Sequence, residues 1–138
     1  MLDTSVLVAA IRSPAGASKA LLDAILNGHV ELLISTALVL EYEAVTTREE
    51  HLSVSGYTRD EVRQLLDSIC ELGNRVRVRW VWRPQLPDPD DEMVLETAIN
   101  GYADAIVTFN RSDFIAAAGQ FGISVLNPKE ALEETTSQ

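Results

Sequence analysis

The chain has 138 residues, 46% of them hydrophobic, and carries a formal net charge of −10. A chain of this length and apolar content buries a hydrophobic core as a single domain, which excludes an intrinsically disordered protein. No apolar run reaches the roughly 20 residues of a membrane span, and a single cysteine excludes both an internal disulfide and a zinc site built from cysteines.

The composition also predicts where the protein works and what it binds. With no secretory signal and one cysteine, we expect a cytoplasmic, reducing location and no membrane association. Nucleic-acid-binding proteins are usually basic, so the acidic balance argues against broad, tight, nonspecific binding. Two explanations of the charge remain open, namely a cation-binding acidic pocket and a basic protein partner.

The first ten residues place one carboxylate, Asp3, before two hydroxyls and an unbroken apolar run. Such a run is typical of a strand buried on both faces, which would hold Asp3 at the end of a central strand. The alternative is a helix over residues 4–12 for which Asp3 is an N-terminal turn or cap. Burying a lone carboxylate costs several kcal/mol, roughly, so a buried Asp3 requires donors or a cation.

A helix is predicted over residues 18–27, a buried strand over 30–35, and a second helix from Ser35 or Thr36 to about Thr47. Glu41 lies on this second helix. All of its helix neighbours are apolar, which places it within the apolar face, where a glutamate needs a partner. The alternative is a surface glutamate at the edge of the core. The four neighbours are Ala37, Leu38, Ala44 and Val45.

The middle of the chain alternates polar and apolar signals. Residues 48–57 are predicted as a polar connector, and Thr58 to Glu61 as a capping box that opens a helix. Residues 75–82 alternate arginines with valines and tryptophans, which predicts a half-buried strand. Its arginines either protect an edge strand or form a strip that contacts phosphates, and both explanations stay open. They are Arg75, Arg77 and Arg79.

A proline-rich loop then ends in the segment Asp88-Pro89-Asp90-Asp91 and leads into a helix to about Asn100. Asp88 and Asp90 are predicted to cap this helix and complement its dipole. Asp91 precedes Val94, Leu95 and Ala98 by three, four and seven residues, so it shares their core-facing side. Asp91 is therefore the better candidate for a site.

The last third contains a strand over residues 104–108, a polar loop, a short helix over 115–118 and a strand over 123–126. The loop runs from Asn110 to Asp113. Polar residues that directly follow a buried strand occupy the edge where ligands bind in open α/β sheets. A turn from Asn127 and a fraying acidic tail complete the chain.

The alternation of strands and helices predicts a three-layer α/β/α fold with a central, mainly parallel sheet. We expect one domain over residues 1–132 and a polar acidic tail over 133–138. Asp3, Glu41, Asp91 and the Asn110–Asp113 loop can then converge at one end of the sheet. Clustered carboxylates repel unless a divalent cation neutralises them, and with no paired His or Cys the expected ion is Mg²⁺ or Mn²⁺.

Four segments in this order resemble the signature of the PIN-domain family. They are Leu2 to Leu7, Ser35 with Glu41, Asp88 to Asp91, and Val107 to Phe114. The ordering and spacing match over nearly the whole chain, and the similarity is closest to the VapC-like toxins of toxin–antitoxin pairs. The resemblance implies a metal-dependent endoribonuclease with a central parallel sheet, an RNA substrate, frequent homodimers and neutralisation by a cognate antitoxin.

Carried over by position, Asp3, Glu41 and Asp91 match the three core acids of the family. Asn110 stands at the usual position of the fourth acid, and we expect Asp113 to supply the missing charge. The predicted catalytic residues are thus Asp3, Glu41, Asp91 and Asp113, and the predicted metal ligands are these four with Asn110. Ser5 and Thr108 would orient ligands through their hydroxyls.

Two further functions compete with the nuclease. A PIN-like binding module with a weakened metal site would account for Asn110 and for the acidic charge. A phosphotransfer protein of the receiver or haloacid-dehalogenase type needs an aspartate where Ser35 or Ser5 stands, so we do not expect one.

Overall fold

A computed structural model describes residues 1–79 and 86–136. The chain alternates helices with short strands. In order, these are α1 (Thr4–Arg12), α2 (Ala17–Leu26), β1 (Leu33–Ile34), α3 (Thr36–Thr46), α4 (Glu49–Ser55), α5 (Arg59–Leu72), β2 (Asn74–Arg75), α6 (Pro89–Asn100), β3 (Ala105–Val107), α7 (Arg111–Gly119), β4 (Ser124–Leu126) and α8 (Pro128–Thr136).

All strand pairings in the described part of the chain are parallel. β1 pairs with β2, and β3 pairs with β4. Leu2 adds a single parallel bridge to Val107, flanked by backbone hydrogen bonds of 2.9 Å from Asp3 N to Val107 O and from Val107 N to Met1 O. The α/β class and the parallel strand direction are therefore confirmed, whereas a three-layer sheet stays a prediction.

The N-terminal apolar run is a helix, so the predicted long strand is wrong and its alternative, a helix over residues 4–12, is confirmed. Asp3 stands at the N-cap position with extended backbone, at φ −67° and ψ 147°. A continuous apolar run does not by itself distinguish a buried strand from a buried helix. The buried side chains of α1 are Val6, Leu7, Ala10 and Ile11.

Two of the predicted caps are confirmed, whereas the Asp3 side chain makes no capping hydrogen bond at the start of α1 and the caps at Asp88 and Asp90 stay predictions. The Ser35 hydroxyl accepts a hydrogen bond of 3.4 Å from Leu38 N and opens α3. Thr58 and Glu61 form a reciprocal capping box at the start of α5, with two hydrogen bonds of 3.1 Å. Each cap satisfies backbone N–H groups that the first helical turn leaves unpaired.

Four predicted segments differ from the structure. The connector over residues 48–57 contains α4, and the short helix over 115–118 is part of the longer α7. Of the strand over 75–82, Arg75 lies in β2 and residues 76–79 are not in a strand, whereas Trp80 and Trp82 lie outside the described residues. The turn and fraying tail are replaced by α8, which runs across the expected boundary at residue 132 to Thr136. The division into a domain and a tail therefore stays a prediction.

Helix α6 runs antiparallel to β1, and two contacts define its direction. The Ser35 hydroxyl, at the end of β1, lies 2.8 Å from the Thr97 hydroxyl. Leu33, at the start of β1, lies beside Gly101, where an added Cβ would come within 2.8 Å of Leu33 Cδ1. The first turn of α6, which carries Asp91, is therefore directed toward the C-terminal end of β1.

The core lies between the strands and the surrounding helices. Its largest fully buried side chains include Tyr42, Phe114, Leu7, Leu21 and Ile34. Among the residues described, no helix has the length and apolar character needed to cross a membrane.

Candidate functional site

Asp3 is a buried carboxylate held by two hydroxyls. The residue is 6% exposed, and its Oδ2 atom accepts hydrogen bonds from Ser5 Oγ at 2.7 Å and Thr108 Oγ1 at 2.8 Å. Hydrogen bonds to a charged group offset part of the cost of removing it from water. Both hydrogen bonds that the carboxylate receives from residues 1–79 and 86–136 go to Oδ2, so Oδ1 can accept a cation.

The Thr108 hydroxyl joins Asp3 to the loop that follows β3. Thr108 is fully buried and directly follows β3. Its Oγ1 atom donates to Asp3 and accepts a hydrogen bond of 2.9 Å from Asn110 N. Asn110 is exposed and occupies the N-cap position of α7, where its side chain makes no capping hydrogen bond. The structure thus brings Asp3 and Asn110 to the same end of β3.

Asp113 follows in the first turn of α7 and is exposed. Its backbone N–H donates to Asn110 O at 3.0 Å. Within the described ranges, no hydrogen bond joins its side chain to Asp3 or Asn110. Asp113 therefore lies on α7, three residues after its N-cap Asn110, and its predicted role as a substitute ligand stays a prediction.

Helix α3 carries Glu41 beside a buried tyrosine. Tyr42 is fully buried, and its hydroxyl donates a hydrogen bond of 2.6 Å to Leu2 O. This bond holds α3 against the segment that ends in Asp3. Glu41 itself is half-buried, with exposed Ala37 and Ala44 on either side, so it lies at the border of the apolar face and not within it. The sequence analysis missed the role of Tyr42, although its phenol between apolar neighbours was a visible signal.

Asp91 lies in the first turn of α6 and is half-buried. The more deeply buried acids of this helix are Glu92 and Glu96, which are 3% and 8% exposed and were not anticipated. Glu92 Oε1 accepts a hydrogen bond of 2.9 Å from Leu86 N. The sequence offered one signal for their burial. Glu92 has Leu95 and Glu96 as helix neighbours three and four residues on, so these side chains lie together on the helix surface.

The predicted metal ligands come from four separate segments. In the portion of the chain that the structure describes, no three His, Cys, Asp or Glu side chains form a group that could hold a metal ion. The donors around Asp3 are carboxylate, hydroxyl and amide oxygens, the set that Mg²⁺ and Mn²⁺ prefer over zinc. Convergence of Asp3, Glu41, Asp91 and Asp113 on one ion stays a prediction.

The arginine row is confirmed as an alternating surface but lies away from these acids. Arg75, Arg77 and Arg79 are exposed, with half-buried valines between them. Arg79 N donates to Asn100 Oδ1 at 2.9 Å, which places the row at the C-terminal end of α6. Asp91 lies about 13 Å away along that helix, at about 1.5 Å per residue. This position favours the protection of an edge strand over a phosphate strip beside the site.

Burial raises the pKa of the Tyr42 phenol well above its ordinary value, and the negative charge of Asp3 raises it further. Loss of the phenolic proton would create a second buried anion close to Asp3. Tyr42 therefore remains a neutral hydrogen-bond donor to Leu2 O.

Comparison with known proteins gives one match. The family model PIN_3, described as a PIN domain, matches residues 1–112. No significant match was found among curated proteins or among solved structures.

We predict that Thr108→Val lowers the free energy of unfolding by about 1–3 kcal/mol, because it removes one donor from Asp3 and leaves Asn110 N–H without its partner. Urea denaturation followed by circular dichroism measures the change. Thr36→Val, at an exposed position of α3, is the matched control and is expected to change stability by less than about 0.5 kcal/mol. Equal stability of the two variants would contradict the prediction.

We predict that Tyr42→Phe flattens the alkaline end of the stability profile. The phenol has a raised pKa in the folded state, so its contribution to stability is complete below the unfolded value of 10.0 and is lost as the pH rises above it. Wild type should lose about 1.4 kcal/mol per pH unit above pH 10 from this group, and the variant should not. Denaturation at pH 9–11 measures this. Tyr102→Phe, at a side chain that is 92% exposed, should leave the profile unchanged.

Proposed function

Because the chain belongs to the PIN-domain family, whose members are generally nucleases, we propose that it is an Mg²⁺- or Mn²⁺-dependent endoribonuclease. The observation that carries the proposal is the buried Asp3 carboxylate, held by Ser5 and Thr108 at the end of parallel strands. A buried carboxylate with a fixed Oδ2 and an accessible Oδ1 is suited to binding a cation in one orientation.

In this proposal Asp3, Glu41, Asp91, Asn110 and Asp113 hold the metal. When bound, the ion would activate water toward the phosphodiester and stabilise the leaving oxygen. The hydroxyls of Ser5 and Thr108 orient Asp3, and Tyr42 holds α3 and thus Glu41 near the same edge. The direction of α6 points Asp91 toward the C-terminal end of β1, and its approach to Asp3 is part of the proposal.

We further propose that the enzyme is the toxin of a cytoplasmic toxin–antitoxin pair and forms a homodimer. The apolar outer face of α3 supports association with protein. Leu40 on this face is 61% exposed, and Ala37 and Ala44 beside it are exposed too. A net charge of −10 also suits a partner with a basic surface, which an antitoxin would supply.

The second candidate function is a non-catalytic binding module, and Asn110 favours it. An amide oxygen carries no net charge, so a site with Asn110 in place of an acid binds a divalent cation less strongly. Titration with Mn²⁺ by calorimetry decides between the candidates. Metal binding accompanied by RNA turnover excludes the binding module, whereas association with protein in the absence of metal binding supports it.

We predict that Asp3→Asn lowers metal-dependent RNA cleavage by about 100-fold or more, the upper end of the losses seen when groups around a metal ligand are changed. Cleavage of a labelled RNA in Mg²⁺ or Mn²⁺, with and without chelator, measures the loss. The circular dichroism spectrum and the melting temperature show whether the variant is folded.

Asp104→Asn is the matched control for this experiment. Asp104 is exposed and precedes β3, about 13 Å along the strand from Thr108 at about 3.3 Å per residue. The same loss of charge at the opposite edge should leave cleavage unchanged. Cleavage that survives Asp3→Asn would overturn the proposed nuclease site.

We predict that Leu40→Glu converts the homodimer to a monomer, because it introduces a charge into the exposed apolar face of α3. Light scattering after gel filtration measures the mass of both proteins. Ile115→Glu is the control, because it introduces the same charge at a position on α7 that is 53% exposed. This variant should have the same mass in solution as the wild type. A wild type that is already monomeric contradicts the proposed dimer.

A further inference from the structure

A pocket of about 300 Å³ adjoins the loop that follows β3, which contributes Phe109 to its lining. It is formed by the C-terminal part of α1, the start of α2, and the residues that follow β3 and β4. Its volume is at the lower end of the range for small-ligand sites, about 300–1,000 Å³. The lining includes Ala9, Ser13, Ala17, Phe109, Pro128 and Lys129.

Phe109 is the aromatic wall of this pocket and is 55% exposed. It stands between Thr108, which donates to Asp3, and Asn110, whose N–H donates back to Thr108. Its backbone is therefore held by the same hydrogen bonds that orient the Asp3 carboxylate. An exposed phenylalanine on a rigid segment beside a polar site indicates a surface for a planar apolar group.

Lys129 adds a positive charge to the pocket. It is exposed, and within residues 1–79 and 86–136 its ammonium group forms no ion pair. Among the described residues that line the pocket, Lys129 is the one that carries a charge. A cation with no ion pair among the described residues, next to an apolar aromatic wall, is complementary to a ligand that carries both a flat ring and a phosphate.

We propose that the pocket binds one nucleobase of a single-stranded RNA, stacked on Phe109, with Lys129 contacting a phosphate of the same strand. The inference rests on the proposed function, which it extends by naming the form of the substrate. Stacking on an aromatic side chain tolerates every base, because each base has a π-face, and it requires an unpaired strand. Phe109 directly follows Thr108, so a base stacked on Phe109 would lie next in the chain to the hydroxyl that donates to Asp3.

An apolar side chain of a protein partner is the competing occupant of this pocket. It differs from an RNA strand in its use of Lys129. A protein side chain would use the apolar wall but would gain nothing from Lys129. An RNA strand uses both, and its affinity depends on salt because phosphate contacts release bound cations. The part of the salt dependence that Lys129→Gln removes therefore separates the two occupants.

The test measures binding of a single-stranded RNA that contains 2-aminopurine, in chelator, so that no cleavage occurs. Phe109→Ala should weaken binding by about tenfold or more, given the usual energy of base stacking on an aromatic side chain. Phe109→Trp should preserve it. Phe121→Ala is the matched control, since Phe121 is 39% exposed and lies outside the pocket lining.

Two further variants examine the pocket without changing Phe109. Ala17→Leu extends a side chain into the cavity and should weaken binding to a similar degree. Lys129→Gln should lower the slope of log affinity against log salt by about 0.7, the value of one phosphate contact on a single strand. Melting temperatures close to that of wild type show that the variants are folded.

The outcomes keep this proposal separate from the proposed nuclease. RNA binding that depends on Phe109 supports the pocket even if no cleavage is found, in which case the nuclease fails alone. Cleavage with binding unaffected by Phe109→Ala overturns the pocket and leaves the nuclease. No RNA binding by wild type, or a Phe109-dependent interaction found only with protein, overturns the proposed occupant.

Discussion

The hydrogen bond from Thr108 to Asp3 is the contact on which the rest of the structure depends. It joins residues 105 positions apart in the chain and connects the N-terminal segment to the end of β3. A carboxylate that is 6% exposed is costly to bury, and the hydroxyls of Thr108 and Ser5 are what make its position tolerable. The same hydroxyl of Thr108 accepts a hydrogen bond from Asn110 N and fixes the start of the loop that carries Phe109 and Asn110. One oxygen atom therefore contributes both to stability and to the geometry of the site.

Around this contact, two further hydrogen bonds set the helices that carry the other acids. Tyr42 ties α3 to Leu2, and Ser35 ties the end of β1 to Thr97 of α6. Glu41 and Asp91 are therefore positioned by neighbours that are themselves fully or almost fully buried. In a PIN domain, whose members are generally nucleases, these hydrogen bonds connect the segments that carry the candidate acids.

Sequence reasoning succeeded where the governing interactions are local. The Ser35 cap and the Thr58–Glu61 capping box follow from residues three apart, and both are present. It failed for the first apolar run, because Val8 and Ala9 are apolar although only half-buried, so the run lacks the periodicity that separates a helix from a strand. It also placed Glu41 too far inside, since apolar neighbours on a helix do not reveal which of them another element covers.

By itself, the sequence determined the PIN-domain family, the α/β class, the helix caps and the order of the candidate acids, because each depends on residue type and spacing along one chain. The resemblance to the family already implied that Ser5 and Thr108 orient ligands through their hydroxyls. Only the tertiary structure decided that both hydroxyls donate to Oδ2 of Asp3, that Tyr42 holds α3, and that the arginine row lies at the far end of α6. Those facts depend on which buried polar groups meet across the fold. Buried polar groups pair because their hydrogen bonds must be satisfied away from water. The distance between two residues along the chain does not reveal which groups will pair.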